Sequence, residues 1–401
     1  MTKLTRTHEP RTARRASLLA SVATTIAVAA AVVAGPGAAA PSAADRDSHP
    51  EGRAKVKRPK VKHGVLTIEG TNEGDGLALR LKSGRPDVLQ LDVGDDGSAE
   101  FDVKLKHVTS IAVDAREGDD RFRIDESNGA FTDRLPTTID GEDGNDDLAG
   151  GSGAERLLGG DGNDSIDGNG GNDVGLMGAG EDTFVWDPGD GSDVVEGQEG
   201  ADTMLFNGAN AAENIDVTAN GPRLRFFRNL GNITMDTDDV ETVDFRALGG
   251  ADGVTVGDLS GTDVKTVKSD LAGTPGGTTG DGQPDRVFVG GTNDDDVALV
   301  TGSNGASSVL GLAATVQVTN AEPAGDSLAI DLLAGDDVGE ASGLAASSFA
   351  LTMDGGVGDD VLVGSAGNDV LFGRDGDDVL VGGPGQDTLD GGNGSNVVIQ
   401  D

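Results

Sequence analysis

The sequence is poor in the residues that build ordinary cores and active sites. It has no cysteine, no tyrosine and one tryptophan, and aromatic residues make up 3% of its 401 positions. The lack of cysteine excludes disulfides and thiolate metal ligands. Basic residues are also scarce, 30 against 70 acidic ones, so the net charge is −40. A surface this negative argues against nucleic acid as a partner, and its self-repulsion opposes compaction.

Glycine and acidic residues are what the chain has instead. The 65 glycines and 70 acidic side chains fit three kinds of chain: a disordered one, a flexible glycine-rich linker, or a fold whose charge is neutralised by bound cations. Composition alone does not separate the three. The periodicity of the sequence does.

The first 44 residues have the features of an export signal. Basic residues such as Lys3 and Arg6 precede an Ala/Val-rich stretch from Ala16 to Ala34, and small residues follow up to Ala44. We therefore predict a signal peptide over residues 1–44 and a secreted, extracellular protein. An uncleaved anchor is the alternative, because the stretch is nearly long enough to span a bilayer. No other segment is apolar enough to cross one, so we expect no transmembrane domain in the mature chain.

Residues 45–62 are predicted to form a basic linker. Its core, residues 53–62, reads RAKVKRPKVK in an otherwise acidic chain. Such a run is typical of a solvated tail. It is also suited to contact an anionic cell-wall or extracellular polysaccharide, which makes such a polymer a candidate partner beside calcium ions.

Two arrays repeat every nine residues. The first array spans residues 141–205 and opens with GEDGNDDLA, GGSGAERLL and GGDGNDSID; from residue 189 it keeps only a Gly-x-Asp core. The second array spans residues 355–399 and opens with GGVGDDVLV, GSAGNDVLF and GRDGDDVLV. Glycine dominates positions 1 and 4, aspartate position 6 and an aliphatic residue position 8. A flexible spacer does not explain the aliphatic residue, so the arrays predict a repeat architecture.

This spacing predicts very short strands that alternate with tight turns. Glycine permits the positive φ and the close backbone approach that such turns need. If two nonapeptides make one coil, aspartates of neighbouring coils stack about 4.8 Å apart, and their repulsion requires a cation. Oxygen-only, anionic and flexible ligands favour Ca²⁺, without which we expect the arrays to be disordered. Each strand has one inward side chain, which in the second array is Leu362, Leu371, Leu380, Leu389 or Val398.

The arrays resemble the hemolysin-type (RTX) calcium-binding repeat, GGxGxDxUx, where U is a large aliphatic residue. The resemblance implies a right-handed parallel β-roll that holds multiple Ca²⁺ ions in its turns. Glu155 and Asn396 replace the aspartate, which puts their sites in doubt, and Gly175 stands where an aliphatic residue is expected. The metal ligands that the resemblance implies are the position-6 carboxylates Asp146, Asp164, Asp173, Asp182, Asp193, Asp202, Asp360, Asp369, Asp378 and Asp387.

A longer repeat accompanies the arrays. The motif Gly-Thr/Ala-Asn-x-x-Asp/Glu begins at Gly70, Gly208 and Gly291, and each copy is followed by an alternating strand that ends in Gly-x-Asp. These strands lie at residues 111–120, 243–252 and 328–337. Alternation of period two indicates β structure throughout.

We therefore predict an all-β solenoid in about three modules. The first module spans residues 63–206 and contains the first array. The second spans residues 207–285 and lacks a clear calcium run, because its final segment, residues 273–285, is predicted to be a loop without a metal site. The third spans residues 286–401 and contains the second array.

No catalytic signature is present. The sequence lacks HExxH, GxSxG, P-loop and dinucleotide-binding patterns, and His63 and His107 are isolated. The sequence thus predicts a calcium-binding extracellular protein with a structural or binding role and no enzymatic activity. One alternative is a polysaccharide-acting lyase or epimerase on a β-helix. Enzymes of that kind use tyrosine and histidine for proton transfer, and this chain has no tyrosine. The other alternative is a calcium-dependent cell-surface adhesin.

Overall fold

Short β-strands make up nearly all the regular structure of residues 55–400, which are the residues that this computed structural model describes. The predicted signal peptide lies outside them. Two single 3-10 turns, Leu105–His107 and Leu230–Asn232, are also present, and no helix in the described part is long and apolar enough to cross a membrane. The strands are β1 (Lys60–Lys62), β2 (Val65–Glu69), β3 (Gly76–Lys82), β4 (Arg85–Val93), β5 (Ala99–Lys104), β6 (Ser110–Asp114), β7 (Arg121–Asp125), β8 (Thr137–Asp143), β9 (Asp147–Ala149), β10 (Glu155–Asp161), β11 (Ser165–Asp167), β12 (Val174–Gly180), β13 (Thr183–Trp186), β14 (Val194–Gly200), β15 (Thr203–Asn207), β16 (Asn214–Asn220), β17 (Arg223–Arg228), β18 (Ile233–Asp238), β19 (Thr242–Arg246), β20 (Gly253–Val256), β21 (Thr266–Asp270), β22 (Arg286–Gly290), β23 (Val297–Ser303), β24 (Ala306–Leu310), β25 (Thr315–Thr319), β26 (Ser327–Asp331), β27 (Val338–Leu344), β28 (Ala350–Asp354), β29 (Val361–Val363), β30 (Val370–Phe372), β31 (Val379–Val381), β32 (Thr388–Asp390) and β33 (Val397–Ile399).

The strands form two long sheets. Sheet A has the order β1-β2-β6-β8-β10-β12-β14-β18-β17-β16-β20-β22-β26-β28-β30-β32. In sheet B the pairings run β5-β4-β3-β7-β9-β11-β13-β15-β19-β21-β25-β24-β23-β27-β29-β31-β33. Most neighbours are parallel, and the chain alternates between the sheets, so each coil contributes one strand to each. This confirms the all-β, parallel β-roll class that the sequence predicts.

The register confirms that two nonapeptides make one coil. In the first array Leu157 pairs with Gly175 in sheet A and Ile166 with Phe184 in sheet B, each 18 residues apart. In the second array Leu362 pairs with Leu380 in sheet B. Equivalent positions therefore stack at the strand spacing, about 4.8 Å, and equivalent turns lie side by side.

Three antiparallel meanders interrupt the parallel order, and each follows one copy of the Gly-Thr/Ala-Asn motif. They are β3-β4-β5, β16-β17-β18 and β23-β24-β25. The second meander adds two strands to sheet A, and the third adds two strands to sheet B. The two additions balance, so in the second array each coil again contributes one strand to each sheet. The boundaries of the three modules stay predictions. Lys60–Lys62, at the end of the predicted linker, forms the antiparallel edge strand β1.

The core is a single column of inward side chains between the sheets. Leu362, Leu371 and Leu380 are fully buried as predicted, whereas Leu389 is half-buried and Val398 is 48% exposed. The prediction for Val398 was wrong because no described coil covers the last one. Gly175 is tolerated because the ring of Phe184 fills the space that its side chain would need, while Leu176 is only half-buried.

Candidate metal centres

Buried carboxylates form rows along the two edges of the solenoid. We call the turns that lead from sheet A to sheet B edge I, and those that lead from sheet B to sheet A edge II. The last residue of each repeat turn lies just before a strand. Its backbone takes part in hydrogen bonds between neighbouring coils, and its side chain folds back under the turn. Asp164 on edge I and Asp173 on edge II are 3% and 1% exposed.

Each row is a ladder of hydrogen bonds from backbone to side chain. Asp146 donates its backbone N–H to Asp164 Oδ1 (2.8 Å), and Asp164 donates in turn to Asp182 Oδ1 (2.7 Å). Edge I holds Asp75, Asp120, Asp146, Asp164, Asp182, Asp202 and Glu241, and then Asp296, Asp337, Asp360, Asp378 and Asn396. Edge II holds Glu155, Asp173 and Asp193, then Glu213, Asp252, Asp285 and Asp326, then Asp369 and Asp387.

A second ladder runs through position 5 of the turns in the opposite direction. Asn163 donates its backbone N–H to Asn145 Oδ1, and Glu181 donates to Asn163 Oδ1, both at 2.8 Å. The position-6 side chain thus accepts from the preceding coil and the position-5 side chain from the following one. Together they clamp successive coils from both directions and fix the stacking of the turns.

The second oxygen of most position-6 carboxylates has no hydrogen-bond partner in the described part of the chain. A buried acceptor left unpaired costs about 1–3 kcal/mol, and more if it is charged, so a regular row of such atoms needs an explanation. The unpartnered atoms are Oε1 of Glu155 and Oδ2 of Asp120, Asp146, Asp164, Asp173, Asp182, Asp202, Asp252, Asp337 and Asp360.

Burial also disfavours the charged form of these side chains. It raises the pKa of Asp164 and Asp360 to about 7, and neighbouring carboxylates add to the rise. The pKa of Asp173 rises to about 9 for the same reasons, with Asp193 and Glu155 as the charged neighbours. Hydrogen bonds from backbone N–H groups oppose the shift without cancelling it. The rows therefore favour either bound protons or bound cations.

At the position-1 glycines, backbone carbonyl oxygens lie close to the unpartnered carboxylate oxygens. A methyl group on Gly159 would overlap both Asp164 Oδ2 and the carbonyl oxygen of Met177 in the next coil. Gly141 has the same relation to Asp146 Oδ2 and the Gly159 carbonyl oxygen. A carboxylate oxygen and a carbonyl oxygen thus face the same small space, which no side chain can enter. An oxygen-only, anionic set of this kind suits Ca²⁺.

Several coils supply a donor of their own at this point, among them the coils of Asn396, Asp369 and Glu213. Asn396 stands in the edge I row, and its Nδ2 donates to the Gly391 carbonyl oxygen at 2.6 Å. Asp369 Oδ2 accepts from the backbone N–H of Ser365 at 2.6 Å and from its hydroxyl at 3.0 Å. Glu213 Oε1 accepts two hydrogen bonds from the guanidinium of Arg228, one of them 2.6 Å from Nε. In these three coils a donor from the same coil satisfies the group that lacks a partner elsewhere in the rows.

The structure places all ten predicted ligands in the two rows. Asp146, Asp164, Asp182, Asp202, Asp360 and Asp378 lie on edge I, and Asp173, Asp193, Asp369 and Asp387 lie on edge II. They are not equivalent. Asp387 is half-buried on the last coil, where its Oδ2 accepts from Gln400 at 2.7 Å, whereas Asp202 is 0% exposed with an unpartnered Oδ2. Their role as ligands stays a prediction.

Sequence reasoning missed further members of the rows. Asp120, Asp252 and Asp337 are buried in them, and the Gly-x-Asp ends of the three alternating strands were the signal that could have found them. Asp285 closes the segment predicted to be a loop without a site. That segment is irregular as expected, yet Asp285 Oδ1 accepts the backbone N–H of Asp252 at 2.8 Å and so joins the edge II row.

Comparisons with known proteins agree with this geometry. The family model of the RTX calcium-binding nonapeptide repeat (four copies) matches residues 138–154, 149–184, 189–210, 354–389 and 364–398. The chain therefore contains RTX repeats, a calcium-binding motif, and their number implies several Ca²⁺ sites. The matches include the looser end of the first array, with Asp193 and Asp202.

Other comparisons are weak. No curated protein sequence matches the chain. Among solved structures, the extracellular lipase LipA from Serratia marcescens is similar at 14% identity over 53% of this chain and 43% of the lipase, with a TM-score of 0.18. The match spans less than half of the lipase, and a likeness at this level supports no statement about the activity of this chain.

Proposed function

We propose that this chain is an extracellular calcium-binding β-roll protein whose fold depends on Ca²⁺ and whose role is structural or binding rather than catalytic. The ions lie between successive coils on both edges, held by the position-6 carboxylates and by carbonyl oxygens of the turns. Asp146, Asp164, Asp173, Asp182, Asp193, Asp202, Asp360, Asp369, Asp378 and Asp387 are the proposed carboxylate ligands.

The observation that carries the proposal is the regular unpartnered oxygen. Asp164 Oδ2 is buried without a donor, close to a carbonyl oxygen of the next coil. In the same row Asn396 has its amide Nδ2 where the aspartates have Oδ2, and this nitrogen donates to the carbonyl oxygen of Gly391, position 1 of its own turn. The space therefore accepts a positively polarised group, and in the aspartate coils a divalent cation supplies one. A cation between coils also turns the repulsion of the stacked carboxylates into attraction.

The absence of catalysis is proposed on the chemistry of the residues. The chain has no tyrosine and four histidines, and His63 and His107 are exposed side chains beside short turns. Asp164, Asp173 and Asp360, whose pKa values burial raises, lie in the turns of the coils and are at most 3% exposed. Binding of ions explains their burial without a reaction.

Two aspartates of one nonapeptide provide a matched test. Asp164 is buried in the edge I row, while Asp161, three residues earlier in the same repeat, is exposed. Asp164→Asn and Asp161→Asn remove the same charge from the same turn. Bound calcium is counted by atomic emission after gel filtration of the folded chain in calcium-containing buffer.

We expect Asp164→Asn to lower the number of bound calcium ions per chain and Asp161→Asn to leave it unchanged. An equal calcium content in the two variants and the unsubstituted chain would contradict the role of Asp164. A chain that binds no calcium at all would contradict the proposed function as a whole.

A further inference from the structure

Three turns outside the matched repeats have the same backbone conformation as the repeat turns. They span residues 115–120 and 332–337 on edge I and residues 247–252 on edge II. Positions 2 and 4 have positive φ in each of them, as in the repeat turn at residues 355–360. The φ angles are 85° at Arg116 and 115° at Gly118, 67° at Leu248 and 133° at Gly250, and 67° at Leu333 and 145° at Gly335. In the repeat turn the corresponding angles are 93° at Gly356 and 145° at Gly358.

Local sequence does not demand this conformation. Arg116, Leu248 and Leu333 occupy a region of φ that side chains other than glycine rarely adopt. Neighbouring coils hold it in place: the backbone N–H of Asp143 donates to the Arg116 carbonyl oxygen at 3.1 Å, and that of Val357 donates to the Leu333 carbonyl oxygen at 2.9 Å. The stacked turns therefore impose the repeat geometry on sequences that lack the repeat.

Each of these turns ends in a buried carboxylate that is only half satisfied. Asp120, Asp252 and Asp337 are 3%, 3% and 0% exposed. Their Oδ1 atoms accept backbone N–H groups from the preceding coil, at 2.6 Å, 2.7 Å and 2.7 Å. Their Oδ2 atoms have no hydrogen-bond partner among the described residues. This is the arrangement of Asp164 and Asp360 inside the repeats.

Glu213, the neighbour of Asp252, shows that a buried carboxylate in this row is stabilised by a positive charge. Glu213 precedes Asp252 in the edge II row, and the Arg228 guanidinium gives its buried carboxylate a positive partner. No guanidinium or ammonium group forms an ion pair with Asp120, Asp252 or Asp337 in the described part of the chain. The charge of Arg228 acts on Asp252 without pairing with it. A buried anion without a paired cation is costly, and a bound cation would supply the paired charge that these three carboxylates lack.

We propose that Asp120, Asp252 and Asp337 each hold a further Ca²⁺ ion, in turns that lie outside the matched repeats and keep only their Gly-x-Asp core. The central segment then has a calcium site of its own at Asp252, and the sites at Asp120 and Asp337 extend the two arrays by one coil each at their N-terminal ends. This inference rests on calcium binding by the repeats, as proposed above.

Asp326 provides the matched control, because it lies in the same edge II row as Asp252 with both oxygens satisfied. Its Oδ1 accepts from Asp285 at 2.8 Å and its Oδ2 from Glu322 at 2.6 Å. The Asp252→Asn, Asp120→Asn, Asp337→Asn and Asp326→Asn chains are compared by native mass spectrometry in calcium. An asparagine keeps the Oδ1 acceptor, as Asn396 does, so the coils retain their ladder.

We expect one calcium ion fewer in each of the Asp120, Asp252 and Asp337 variants and no change in the Asp326 variant. If Asp164→Asn loses calcium while these three variants keep the full number, the inference is wrong and calcium binding by the repeats stands. If the unsubstituted chain binds no calcium, both fail.

A second measurement needs no substitution. Crystals of the unsubstituted chain grown with calcium are measured at a wavelength where calcium scatters anomalously. We expect anomalous difference peaks beside Asp120, Asp252 and Asp337 as well as in the repeats. Peaks confined to residues 141–205 and 355–399 would overturn the inference even if a variant failed to fold.

Discussion

Replacing Arg228 by methionine removes the cation that pairs with Glu213 in the edge II row. Arg228 and Glu213 have side-chain exposures of 7% and 0%, and the guanidinium carbon also lies 5.1 Å from the ring centre of Trp186. Methionine keeps an unbranched apolar side chain, although a shorter one, and leaves the Glu213 carboxylate buried without its cation. It also removes both hydrogen bonds to Glu213 and the contact between the cation and the indole ring.

The expected loss is large because both partners are buried. Removing one partner of a buried ion pair costs about 3–5 kcal/mol, since the remaining charge is uncompensated. Arg121→Met is the control: its partner Asp147 lies 3.1 Å away, but the two side chains are 59% and 56% exposed, and exposed pairs contribute little. Glu213→Gln added to Arg228→Met removes the uncompensated charge and should recover part of the loss.

Urea unfolding at saturating calcium measures these differences. Trp186 is the only tryptophan of the chain, 1% exposed and stacked on Phe206 at 4.0 Å, so its fluorescence reports this part of the core. Far-UV circular dichroism provides a second probe, because the substitution itself alters the surroundings of the indole. An Arg228→Met chain as stable as the Arg121→Met chain by both probes would refute the reasoning.

The close turns and the raised pKa values give two further expected outcomes. Gly159→Ala places a methyl group against Asp164 Oδ2 and a neighbouring carbonyl oxygen, so it should lower both the bound calcium and the melting temperature. Gly257→Ala, whose methyl group would make only ordinary van der Waals contacts, should change neither, and equal effects of the two substitutions would contradict the packing argument. In chelator, Asp164 and Asp360 have a folded-state pKa of about 7 against about 3.9 when unfolded. The folded calcium-free chain thus binds more protons between pH 4 and 7, and its stability should fall as the pH rises through that window. Far-UV circular dichroism in chelator tests this: bound protons should partly replace calcium, so the β signal should be stronger at pH 5 than at pH 8, and a stronger signal at pH 8 would speak against it.

The nine-residue period was enough to predict the repeat coils and their edges. Glycine at positions 1 and 4 and an aliphatic residue at position 8 determine a turn and a strand locally, and 18 residues per coil then place Asp146, Asp164 and Asp182 in one row. The meanders were less visible, because alternation predicts strands without saying which neighbour they pair with. The Gly-Thr/Ala-Asn motif did mark where each one begins.

The differences among the carboxylates could not be predicted from the period. Arg228 lies fifteen residues from Glu213 and reaches it because β17 pairs antiparallel with β16. Ser365 satisfies Asp369 through one hydroxyl at a variable position of the repeat. In the same way, Leu333 has a glycine-like φ, and the backbone N–H of Val357 in the next coil donates to its carbonyl oxygen. Each depends on contacts between coils rather than on local sequence.

The most direct test is a calcium titration of residues 45–401, the chain without its predicted signal peptide, prepared without calcium. Extracellular calcium modules bind at about 10⁻⁴–10⁻³ M, so the far-UV circular dichroism signal of β structure should appear over that range and be complete by roughly 10 mM. A chain that keeps its full β signal and the same melting temperature in excess chelator would contradict the claim that ions between the coils hold the fold together.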